Sequence, residues 1–126
     1  MEVLADTSVW IAHFRNASAD LKHLLITNRL LMHPLVLLEL ACVSPPAPRK
    51  GTLGRLRSLP QAPVATVDEV LAMVEGECLY DRGCGAVDLS LLTSVRLRPG
   101  TKLWTLDRDL GALARRFKLT YAPVMN

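Results

Sequence analysis

Residues 2–10 read EVLADTSVW, an apolar run that ends abruptly on Asp6, Thr7 and Ser8. EVLA has the length and character of a short buried strand, and Asp6 or Thr7 is a natural N-cap for a helix over DTSVWIAHF. A strand that passes straight into a helix opens an α/β unit, and the rest of the chain repeats the alternation. SADLKHLLITN (18–28) predicts a helix capped by Ser18, LLMH (30–33) a second strand, and Pro34 the first position of another helix. SPPAPRKG (44–51) is a loop, a short helix covers 52–58 and ends before Pro60, and PVAT (63–66) is strand-like. TVDEVLAMVEGECLYDRG (66–83) predicts a helix with Thr66 and Glu69 in capping-box spacing, closing on Gly83. After the RGCG turn, AVDLSLLTSVRL (86–97) predicts a helix, KLWT (102–105) a strand, DRDLGALARRFK (107–118) a helix and LTYAP (119–123) a last strand. The sum is a three-layer α/β sandwich with a mostly parallel central sheet flanked by helices, one domain over residues 1–126.

Half of the 126 residues are hydrophobic and the mean hydropathy is +0.23, rich for so small a domain. A partner or a second copy of the chain is therefore expected to cover part of the surface. Glu2 and Asp6 stand where a signal peptide needs a basic start and an apolar run, and LLMHPLVLLELACV (30–43) is too short to span a bilayer. A cytosolic protein without membrane contact is expected. Cys42, Cys78 and Cys84 are an odd number without CxxC or paired-histidine spacing, which disfavours a disulfide framework or a zinc site. The net charge of +3 is uneven: Arg96, Arg98, Lys102, Arg108, Arg115, Arg116 and Lys118 meet only Asp107 and Asp109 in their own stretch, and Arg49, Lys50, Arg55 and Arg57 form a second cluster. Such clusters serve either as a solvated face or as a rim for a polyanion.

The acids carry the chemistry. In a mostly parallel sheet, sites form in the crevice at the carboxyl ends of the strands. Asp6 follows the first strand directly and Asp107 follows KLWT, so both fall on that side. Glu39 lies in VLLELACV (36–43), where a helix would set it beside Leu35, Val36, Cys42 and Val43, and a strand beside Leu37, Ala41 and Val43. Either geometry predicts a buried carboxylate, which unpaired costs on the order of several kcal/mol. Asp88 opens a helix whose same face carries Leu91, Leu92 and Val95. Taken singly, Asp6, Asp88 and Asp107 could be helix caps, and Asp109 a dipole partner in a first turn. Taken together, four acids from separate segments on crevice-side or apolar positions suit a shared hard cation, Mg²⁺ or Mn²⁺.

DTSVW (6–10), ELA (39–41), VDLSLL (87–92) and WTLDRDL (104–110), in this order and spacing, resemble the motif segments of PIN-domain ribonucleases, and specifically the VapC toxins of toxin–antitoxin pairs. The resemblance runs over essentially the full chain. It implies an endoribonuclease in which Asp6, Glu39, Asp88 and Asp107 bind the metal, Ser8 and Thr105 support them through hydroxyls, and Asp109 is an auxiliary. It implies hydrolysis of RNA by a metal-activated water, leaving a 5′-phosphate and a 3′-hydroxyl, with an antitoxin seated in the catalytic groove and a homodimer. Leu91 and Leu92 stand where some members carry a further acid, which puts a second tightly held metal in doubt.

The residues agree with that chemistry. His13, His23 and His33 sit in helical or core-like contexts, and no Ser-His-Asp or Cys-His arrangement stands out. With four of the 12 acids sequestered by metal, the 15 bases leave an excess of about seven positive charges, a suitable field for RNA. Arg49, Lys50, Arg108 and Arg115 are candidates for backbone contacts. A receiver domain would need an adjacent acidic pair after the first strand, and a haloacid-dehalogenase-type phosphatase an Asp where Ser8 stands. The alternative from another class is a PIN-fold RNA- or protein-binding module without turnover.

Overall fold

The computed structural model describes residues 1–123. Three parallel strands, β1 (Glu2–Ala5), β2 (Leu30–Leu31) and β3 (Thr101–Trp104), form a sheet in the order β2-β1-β3. Val3 and Leu4 pair with Leu30 and Leu31, and Glu2 through Ala5 pair with Thr101 through Trp104. Val3, Leu4 and Ala5 have no exposed surface, so the central strand is covered on both faces, as its continuous apolar run requires.

Among the described residues seven helices flank the sheet: α1 (Thr7–Arg15), α2 (Ala19–Ile26), α3 (Pro34–Ala41), α4 (Arg49–Arg57), α5 (Val67–Glu77), α6 (Ala86–Arg96) and α7 (Arg108–Arg116). Helix α3 packs on α1 and α4, while α6 packs on β3, α5 and α7. The start signals read from the sequence are realised in side chains. Asp6, Ser18 and Asp107 accept from the amides of Val9, Leu21 and Leu110, and Thr66 with Glu69 forms a complete capping box. Leu21, Leu24, Leu31, Leu40, Leu92, Leu103 and Leu110 are fully buried. Each contributes about 1.5–3 kcal/mol of apolar burial, which anchors the helices to the sheet.

His33 is a core histidine. Its Nδ1 accepts from the amide of Leu35 at 3.1 Å and caps α3, leaving Nε2–H to meet Ser94 Oγ at 3.1 Å. That arrangement needs the neutral ring, and burial holds its pKa below the usual histidine value.

Several boundaries differ from expectation. PVAT is not a strand: the chain meets the sheet one step earlier, where Gln61 bridges Met32. LTYAP contributes a single bridge, Thr120 to Leu103. Helix α4 begins at Arg49 rather than residue 52, with Pro48 at its N-cap. Helix α5 stops at Glu77, six residues before Gly83, because Cys78 takes the left-handed conformation (φ 54°). Glu39 is only half-buried: α3 turns Val36 and Leu40 into the core, while Cys42 and Val43 are exposed. No helix among the described residues is long and apolar enough to cross a membrane.

Candidate active site

The carboxyl ends of β1 and β3 are sewn together by hydroxyls. The Asp6 amide donates to the Trp104 carbonyl at 2.9 Å, carrying the strand pairing past the end of β1. Both oxygens of the Asp6 carboxylate are then engaged: Oδ1 accepts from Ser8 Oγ at 2.5 Å and from the Val9 amide at 3.3 Å, and Oδ2 accepts from Thr105 Oγ1. Each hydroxyl has a second task. Ser8 Oγ accepts from the Leu106 amide and Thr105 Oγ1 from the Asp107 amide, both at 3.0 Å. Thr105 therefore ties Asp6 to the segment that presents Asp107, whose Oδ1 caps α7 through Leu110 at 2.9 Å. Asp6 is 5% exposed, and burial raises its pKa despite the hydrogen bonds of Ser8, Thr105 and Val9 that oppose the rise.

Glu39 reaches the same edge from α3, where Thr7 Oγ1 donates to its Oε1 at 2.5 Å. The sequence offered Thr7 only as an alternative N-cap for α1, not as a partner of Glu39; its position between Asp6 and Ser8 was the available signal. Asp88 arrives in the first turn of α6, whose N-cap, Gly85, provides no side-chain hydrogen bond. Its pKa is raised first by burial and then by the charges of Asp107, Asp6 and Glu39. The four acids thus lie within electrostatic reach of one another. Among the described residues none of the four is in an ion pair, and no three acids, histidines or cysteines stand close enough to hold an ion as placed.

Cys84 adds a second report of the same field. Burial pushes its thiol up to about 11, reinforced by the charges of Asp88, Asp107 and Asp109. Cys42, Cys78 and Cys84 are free thiols.

The basic clusters are more committed than the sequence indicated. Glu77, from α5, pairs with Arg116 at 3.4 Å and Arg96 at 3.6 Å, and Glu2 pairs with Arg98 at 3.0 Å. Arg96 and Arg116 also lie over the Phe117 ring. Arg49 donates to the carbonyls of Ala41 (2.5 Å) and Val43 (3.0 Å) and so closes the end of α3. Lys50 stands on the same helix beside Leu37, Ala41 and Leu53. Arg108 is almost wholly exposed next to Asp109 at 3.7 Å, and Arg115 is exposed in the last turn of α7.

The sequence matches the family model of the PIN domain over residues 3–116. The chain belongs to the PIN-domain family. It is similar to a protein named Ribonuclease VapC32 from Mycobacterium tuberculosis strain CDC 1551 / Oshkosh, with 49% identity over 110 residues covering 87% of this chain and 88% of the relative. The protein of the same name from strain ATCC 25618 / H37Rv gives the same figures. The PIN match takes in Asp6, Glu39, Asp88 and Asp107 and the helices that deliver them.

Proposed function

We propose that this PIN-domain chain is a VapC-type endoribonuclease toxin that hydrolyses RNA phosphodiester bonds with a divalent cation, Mg²⁺ or Mn²⁺. The observation that carries the reading is four carboxylates within electrostatic reach of one another near the carboxyl ends of β1 and β3, with, among the described residues, no cationic side chain paired to any of them. Their donor atoms are all carboxylate oxygens, which fit a hard cation, and their mutual repulsion is what such a charge would relieve. Asp6, Asp88, Asp107 and Glu39 would hold it. When bound, the cation supplies Lewis acidity to the phosphate and acidifies the attacking water.

The chain's own residues prepare the remainder. Ser8 and Thr105 fix both oxygens of Asp6, so the carboxylate is oriented before any substrate arrives. Thr7 holds Glu39 towards the same edge. Arg108 and Arg115 on α7, with Lys50 and Arg49 on α4, would meet the RNA backbone, Arg49 while also closing α3. Kinship with Ribonuclease VapC32 supports RNA as the substrate.

The same reading assigns a VapB-like antitoxin, a homodimer, a cytoplasmic location and one PIN-like domain over residues 1–126, of which 124–126 lie outside the described residues. The apolar groove between α3 and α4, lined by Leu37, Ala41 and Leu53, and the exposed Leu38 and Leu71 support protein partners. The test is incubation of total RNA with the protein and Mg²⁺ or Mn²⁺, beside a chelator control and Asp6→Asn. Cation-dependent fragments bearing 5′-phosphates are expected; cleavage that survives both the chelator and Asp6→Asn would overturn the assignment.

A further inference from the structure

The segment between α5 and α6 is wound unusually tightly. Cys78 (φ 54°), Asp81 (φ 55°) and Gly83 (φ 81°) all take left-handed backbone within six residues, and the chain enters α6 at Ala86, two residues before Asp88. Glycine is favoured at position 83 for two reasons. Its φ disfavours any L side chain, and the space a Cβ would fill is already taken by Asp109. A Cβ there would stand 2.4 Å from Asp109 Oδ2, 2.9 Å from Cγ and 3.4 Å from Cβ. Relieving this takes a swing of the whole Asp109 carboxyl group away from Gly83, which undoes the contact, since only Asp109 Cβ would then remain against the new side chain.

We propose that Asp109 is a positioning residue: its carboxyl group seats the Cys78–Gly85 loop through Gly83, so that α6 presents Asp88 to Asp6 and Asp107. Asp109 then acts by filling space at the α7 end of the loop rather than by holding the cation. The contact joins α7, whose N-cap is Asp107, to the loop that leads into α6, which carries Asp88. The two acids are thereby set relative to each other by packing as well as by the sheet. The role in presenting Asp88 rests on the proposed nuclease reading, while the contact itself does not.

The experiment is a double-mutant cycle with Gly83→Ala, Asp109→Ala and the pair, plus Asp109→Asn, read in two ways. The first is the melting temperature of the metal-free protein. The second is the Mn²⁺ concentration that gives half of the maximal Mn²⁺-induced rise in melting temperature. Gly83→Ala and Asp109→Ala are each expected to weaken Mn²⁺ by about tenfold, the usual size for a group that orients a ligand. In the Asp109→Ala background, Gly83→Ala should cost only its backbone strain, with little further loss of Mn²⁺. Asp109→Asn keeps the shape and should stay near the unsubstituted protein. Additive losses at 83 and 109, or an Asn variant as weak as the Ala variant, would overturn the proposal. If Mn²⁺ fails to stabilise the unsubstituted protein, the nuclease reading and the role in presenting Asp88 fall together, and the metal-free melting cycle still decides the contact.

Discussion

Asp6 and Asp88 lie within electrostatic reach of each other on two differently built elements. Asp6 hangs from the central strand, and three donors hold its carboxylate, two of them hydroxyls that also take backbone amides of the opposite segment. Asp88 sits in the first turn of a helix with no side-chain cap, reached through a loop of left-handed residues. The first side is set by the sheet itself and has little freedom left. The second depends on how the loop is seated. In a metal-free protein the strain of bringing like charges together therefore falls mostly on the α6 side.

The largest effects should come from removing either charge. Asp6→Asn and Asp88→Asn are each expected to lower cation-dependent RNA cleavage by about a hundredfold or more, measured as kcat/KM on a defined RNA. Retention of cleavage by either would remove that residue from the site. Next in size is Thr105→Val, which cuts the link between Asp6 and the Asp107 segment. It should cost about tenfold in activity with the protein still folded; an unchanged rate would mean that the sheet alone orients Asp6.

The two sides should part company in stability. Asp88→Asn removes a carboxylate whose ionised form is disfavoured by burial and by Asp107, Asp6 and Glu39, so the metal-free protein should melt a few degrees higher. A lower melting temperature in the Asn variant would contradict the crowding of charge on that side. The pH dependence probes a buried group away from both. The pKa of His33 is lowered in the folded state, so the unfolded chain binds the proton more readily. The stability that His33 provides is complete above about pH 6.5 and is lost as pH falls from there through the lower folded value. Urea unfolding across that range should show the loss, and His33→Asn, which can still cap α3, should reduce it. The smallest effect is that of Arg49→Ala, expected to destabilise by about 1 kcal/mol through the carbonyls of Ala41 and Val43.

The parts of the fold that were legible in the sequence are those fixed by near neighbours. A strand running into Asp6, the caps at Ser18 and Asp107, and the Thr66–Glu69 box need only a few residues of context, and all appear. The family followed from the order of four short motifs. What stayed hidden was decided at long range. Glu77 and Glu2 neutralise arginines that looked unopposed in their own stretch, because α5 and β1 are brought against them only by the fold. Glu39 was expected to be deeply buried, since eight apolar letters do not say which turn of the helix meets the core. The end of α5 was misplaced because Cys78 already takes a left-handed turn, five residues before the left-handed Gly83. Thr7 and Gly83 carry no chemistry that a motif reports; only the side chains opposite them give them a role.

The hydroxyl of Thr105 and the carboxylate of Asp6 are 99 residues apart in the chain. The central strand, made second residue onward, has no partner on its β3 side until Thr101 and its neighbours exist. Closing so long a loop is entropically costly and slow compared with forming the helices between. A ribosome-bound chain would therefore lack the Thr105 contact to Asp6 until most of it has been made, and synthesis itself would delay the moment at which a nascent molecule could cut RNA.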